Sequence, residues 1–94
     1  EVKIATIADF ILEQNYPNPF NPTTNISWQS PMDSWQSIKV YDVLGNEVAV
    51  LVNEYKVAGN YNVKFDARNL TSGIYFYKLS IGNREVVKKM ILMR

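Results

Sequence analysis

The chain has 94 residues, ten basic and nine acidic side chains, a formal charge of +1, and neither cysteine nor histidine. That length supports one domain with a core that buries roughly 60 to 68% of the unfolded surface, while the missing residue types exclude disulfides, histidine-zinc sites and imidazole-activated nucleophiles. Near-neutral charge gives no broad field for nucleic acid or an anionic membrane, and no apolar run approaches the roughly 20 residues of a bilayer span.

Residues 1–9, from Glu1 to Asp9, read as a linker or an extra edge strand contributed by a larger parent protein. They lack the basic start and apolar stretch of a signal peptide, and the first residue is not methionine, so the chain is expected to be a piece of something longer. Phe10-Ile11-Leu12 is the first expected strand. Next comes Gln14-Asn15-Tyr16-Pro17-Asn18-Pro19-Phe20-Asn21-Pro22-Thr23-Thr24. Its three prolines each fix φ and remove a donor, and they push Tyr16, Asn18 and Asn21 into extended conformations. The segment is expected to be a shaped connector without helix or ladder, anchored to the core by the Tyr16 and Phe20 rings.

Beyond it the apolar period is two, the signature of short antiparallel strands. Thr24 to Trp28 is one strand, and Ile38 and Val40 give the core face of another, ending at Asp42. Gly45 and Asn46 supply the positive φ of a reversal, and Glu47 to Val52 returns as the hairpin partner. In Asn60 to Asp66, Tyr61, Val63 and Phe65 share one face while Asn62, Lys64 and Asp66 share the other. Ile74 to Ile81 and Arg84 to Met93 flank the two-residue loop Gly82-Asn83, suited to a primed hairpin turn. Alternation breaks at Val86-Val87-Lys88-Lys89, so either a bulge shifts the phase there or both faces are partly covered. The whole predicts an all-β, seven-stranded antiparallel sandwich of immunoglobulin-like or fibronectin-like type. Leu70-x-x-Gly73-x-Tyr75 is similar to a tyrosine corner, in which the phenol bonds back to the preceding turn.

Chemistry is thin. Asp42 and Asp66 end strands, and Asp33 and Glu54 are expected in loops, where isolated carboxylates are usually solvated turn residues rather than an acid-base pair or a calcium site. No glycine-rich phosphate cradle is present. Trp35, Tyr41 and Tyr55 are expected to point outward or sit in loops, either as rim packing or as rings that stack on sugars. Arg84, Lys88, Lys89 and Arg94 make the last strand basic, which discourages edge-to-edge pairing or forms a docking strip. The Asn-x-Ser/Thr matches at Asn25 and Asn69 matter only in a eukaryotic secretory route.

Taken together, Phe10-x-Leu12-x-Gln14-Asn15-Tyr16-Pro17-Asn18-Pro19-Phe20-Asn21-Pro22-x-Thr24, Val40-Tyr41-Asp42-x-x-Gly45, Ala58-Gly59-x-Tyr61, Leu70-x-Ser72-Gly73-Ile74-Tyr75 and Lys88-Lys89-Met90 resemble the type A C-terminal sorting domain of the type IX (Por) secretion system, over residues 10–94. Gln36, Ser30-Pro31 and Val87 depart from the family pattern. The resemblance implies an address rather than an enzyme. Its cargo would be attached on the N-terminal side, pass through the periplasm and an outer-membrane translocon to the cell surface or medium, and have the domain removed by a surface sortase. It implies no cofactor, no metal, no nucleic acid and no membrane insertion. Gly73, Tyr75, Lys88, Lys89, Met90 and Arg94 are the expected recognition residues. The connector, with Tyr41, Asp42, Gly45, Gly59 and Tyr61, forms the expected structural motif. A sugar-binding, adhesive or structural spacer module is the alternative.

Overall fold

Alternating apolar side chains produce seven strands in residues 10–94, the part of the chain described by the computed structural model. The expectation of a linker or edge strand at residues 1–9 lies outside the described residues. The strands are β1 (Ile11–Leu12), β2 (Thr23–Ser30), β3 (Ser34–Tyr41), β4 (Glu47–Lys56), β5 (Gly59–Asp66), β6 (Gly73–Ile81) and β7 (Arg84–Leu92). They form a three-stranded sheet in the order β1-β2-β5 and a four-stranded sheet in the order β4-β3-β6-β7, with every strand pairing antiparallel.

The inner faces meet in one apolar core. Leu12 comes from β1, Ile26 and Trp28 from β2, Ile38 and Val40 from β3, Val52 from β4, Phe65 from β5, Tyr75, Tyr77, Leu79 and Ile81 from β6, and Met90 and Leu92 from β7; Phe20 and Ala67 complete it from the connections. Each of these side chains other than Ala67 contributes about 1.5 to 3 kcal/mol through removal from water. Gln36 is fully buried among them. Its side-chain oxygen accepts from Trp28 Nε1 at 2.9 Å and its amide donates to the Lys56 carbonyl at 3.3 Å, so a polar residue occupies a core position with both ends satisfied.

Several expectations change in three dimensions. Gly45 alone takes the positive φ of the β3–β4 turn, at 87°, and no described non-glycine residue has a positive φ. Asn46 instead donates its backbone N–H to Asp42 Oδ1 at 2.9 Å and its side-chain amide to Oδ2. Glu54 lies in β4 rather than a loop, whereas Trp35, Tyr41 and Tyr55, expected either to point outward or to sit in loops, are strand residues, with Trp35 and Tyr55 exposed. The bulges fall between β3 and β4, where the register slips after Ile38 and again after Val40. Each slip inserts one β4 residue, Leu51 or Val48, which also packs on the core, and this is why Val48 to Val52 reads as a continuous apolar run. No slip occurs in β7, whose pairing with β6 is unbroken from Arg84 to Leu92. The two lysines therefore lie on opposite faces: half-buried Lys88 on the side of Met90 and Leu92, exposed Lys89 on the other. The Gly82-Asn83 turn has positive φ at Gly82 only, the sign pattern of a II′ turn.

Candidate functional site

The proline connector is a strap across the open side of the two sheets. It leaves β1 with Glu13 N–H donating to the Ser27 carbonyl at 2.9 Å, and a single bridge pairs Tyr16 with Asn25. It then crosses to β7. Gln14 Nε2 donates to the Lys89 carbonyl at 2.8 Å, Asn18 Oδ1 accepts from Ile91 N–H at 2.9 Å, and Phe20 brackets Leu92 in a parallel bridge by donating to the Ile91 carbonyl and accepting from Met93 N–H. The expectation of a segment with no ladder is thus corrected: two one-residue bridges stitch it to both sheets. The three X–Pro bonds at Pro17, Pro19 and Pro22 are cis. Phe20 is buried as expected, its ring 6.1 Å from that of Phe65, but Tyr16 is 79% exposed and anchors nothing through its ring.

Two polar residues do that anchoring. Asn15, only 2% exposed, donates its side-chain amide to the Pro17 carbonyl at 3.1 Å and Thr24 Oγ1 at 3.0 Å. Its backbone N–H donates to the Tyr77 hydroxyl at 2.8 Å, and that hydroxyl donates to the Glu13 carbonyl at 2.7 Å. Burial pushes the Tyr77 phenol up to about 12, because a phenolate there would lack solvation. The pairing of Tyr77 with a connector so distant in sequence has no periodicity to announce it. An alternating strand position only marks Tyr77 as core.

The expected recognition residues divide by burial. Met90 is fully buried and Tyr75 is 6% exposed, so they shape the site from beneath. The Tyr75 hydroxyl donates to the Thr71 carbonyl at 2.7 Å, the tyrosine-corner geometry. Gly73, exposed at φ 152°, opens β6 beside a hollow of about 380 Å³ whose lining includes Asp42, Val48, Leu70 and Tyr75. Arg94 is held: its backbone N–H donates to Ser72 Oγ, and its guanidinium donates to the carbonyls of Leu70, Ala67 and Arg68. This clamps the segment after β7 onto the turn before β6. Lys88 lies opposite Tyr77 and Lys89 opposite Phe76, so the strap, the corner and the basic pair converge on β6 and β7. Gly59 starts β5 at φ 154°, and Tyr61 stacks on Trp28 at 5.7 Å beneath the Lys56 ammonium.

Six of the seven described carboxylates are committed to structure. Asp42 accepts from Leu44 and Asn46 N–H groups, Asp33 from Ala58 N–H, and Asp66 binds Arg68. Turn amides led by Asn46, and the Arg68 side chain, hold Asp42 and Asp66 respectively below the usual carboxylate range. Glu47, Glu54 and Glu85 pair with Lys39, Lys56 and Lys78. Among the described residues no group of three or more acidic, histidine or cysteine side chains could hold a metal ion.

The model of the secretion system C-terminal sorting domain family matches residues 14–93. No curated protein matches the chain. Among solved structures it is similar to PorZ, described as an essential bacterial surface component of the type-IX secretion system of Porphyromonas gingivalis, with a TM-score of 0.57 and 20% identity over 90% of the chain. The chain spans about a tenth of PorZ, 11% of its length, and at that identity the likeness speaks to fold.

Proposed function

The chain belongs to the family of secretion system C-terminal sorting domains, and from that premise we propose that it is the type IX export address of a cargo joined to its N-terminal side. The domain is a sorting signal that directs export to the cell surface or the medium. We assign residues 10–94 to the sorting domain and residues 1–9 to the join with the cargo. In this reading the cargo reaches the periplasm first, an outer-membrane translocon reads the folded domain, and a surface sortase removes it. The strand order β1-β2-β5 facing β4-β3-β6-β7, with a tyrosine corner at the start of β6, supports an immunoglobulin-like or fibronectin-like assignment.

The observation that carries the reading is the strap. It fills the outer edge of β7 from Lys89 to Met93, so the strap and the last strand present one rigid shape. Exposed Gly73 and Lys89, with half-buried Lys88, offer contact and charge to the translocon, while Tyr75, Met90 and Arg94 hold them in place. Residues 10–94 fused to a reporter in a host with this pathway should bring the reporter to the surface or medium. Retention of the fusion inside the cell would defeat the proposal. Lys89→Ala should reduce export without lowering the Tm.

A further inference from the structure

We propose that the outer face of the four-stranded sheet carries a stacking platform for a neutral polysaccharide, built on Trp35 and Tyr55. The two are direct cross-strand partners on β3 and β4, which places their Cβ atoms about 4.5 to 5.5 Å apart. They are 57% and 60% exposed. Trp35 Nε1 donates to Asn53 Oδ1 at 2.6 Å, and Asn53 is the partner of Ser37, the next outward residue of β3. Ser37 is only 9% exposed although it points away from the core. The indole therefore lies along the sheet over the Ser37–Asn53 pair and turns one face to solvent.

An indole with its only donor satisfied offers a ligand its π face and little else. Its conformation is set before binding, which lowers the ordering cost of association. The surrounding chemistry selects the ligand. Next to the aromatic pair runs the row Asn53–Ser37–Ser80–Glu85 across the four strands, and only beyond it come Val50 and Val87. That polar row separates the rings from Val50 and Val87, while on the other side exposed Val57 follows Tyr55 just past the end of β4. The nearby cations are engaged, Lys56 by Glu54 and the Tyr61 ring, Lys39 by Glu47 and Lys78 by Glu85, so none of the three stands free to draw a nucleic acid or an anionic chain. A sugar ring matches: its C–H face stacks on the aromatics, and its hydroxyls meet the Asn53 amide and the Tyr55 hydroxyl, which makes no hydrogen bond among the described residues.

The chain run through native gels containing hydroxyethylcellulose, barley β-glucan or galactomannan tests this. At least one gel should retard it, with a shift in tryptophan emission that reports Trp35, since Trp28 is buried. Trp35→Ala and Tyr55→Ala, each checked for an unchanged Tm, should weaken the retardation about tenfold or more, the loss of one stacked ring. Absence of retardation in all three gels, or full retardation of Trp35→Ala, overturns the proposal. So does a dimer in sedimentation that Trp35→Ala abolishes, which would assign the face to a second copy. Trp35→Ala should be exported like the parent chain, so failure here is distinguishable from failure of the sorting role.

Discussion

The Tyr77 hydroxyl on β6 accepts a 2.8 Å hydrogen bond from the backbone of Asn15 in the proline connector, across 62 positions of sequence. One phenol thus ties an inner strand of the larger sheet to the strap that leaves the smaller one, and its own proton goes to the Glu13 carbonyl. Tyr77→Phe leaves an N–H and a carbonyl without their partner. It should cost about 1 to 3 kcal/mol in urea unfolding, and a wild-type midpoint would show that the strap holds without this link.

The same phenol sets an alkaline limit. Its folded pKa of about 12 lies above the unfolded value of 10.0, so its contribution to stability is complete below pH 10 and is lost as pH rises toward 12. Unfolding measured between pH 9 and 12 should show a steeper decline for the parent chain than for Tyr77→Phe. Parallel curves would refute the assignment.

Gln36 gives a test of buried polar pairing. Gln36→Leu orphans Trp28 Nε1 and should destabilise by about 1 to 3 kcal/mol. Adding Trp28→Phe removes the orphaned donor. The double variant should then recover part of the loss, a coupling visible in a double-mutant cycle; strict additivity would mean that the 2.9 Å contact carries no net energy.

Tyr75→Phe removes the donor to the Thr71 carbonyl and should cost about 1 kcal/mol or more. Arg94→Ala should cost less than about 2 kcal/mol, because its bonds are largely exposed to competing water. It should also speed hydrogen exchange in the turn from Ala67 to Ser72. If Arg94→Ala abolishes export while exchange in that turn is unchanged, the arginine is read directly and the clamp is incidental.

The strands were legible because a period of two in side-chain polarity is local information. Tyr61, Val63 and Phe65, or Tyr75 and Tyr77, must share a face in any extended chain. The hairpin at Gly82-Asn83, the tyrosine corner and the family motifs are likewise written within a few residues of each other. The β3–β4 bulges were not legible, since Val48 to Val52 has no alternation to reveal which residues are extra. The Tyr16 ring was misplaced for a related reason: Tyr16 and Phe20 look equivalent in sequence, yet Tyr16 is in water and only Phe20 is in the core.

Sequence alone therefore determined the all-β architecture, the number of strands and the shaped connector, because proline geometry and alternation act within a few residues. Tertiary structure decided what the connector does. Its contacts run from Asn15 to Tyr77, Gln14 to Lys89 and Asn18 to Ile91, and a hydrogen bond between such distant positions depends on where two sheets come to rest against each other.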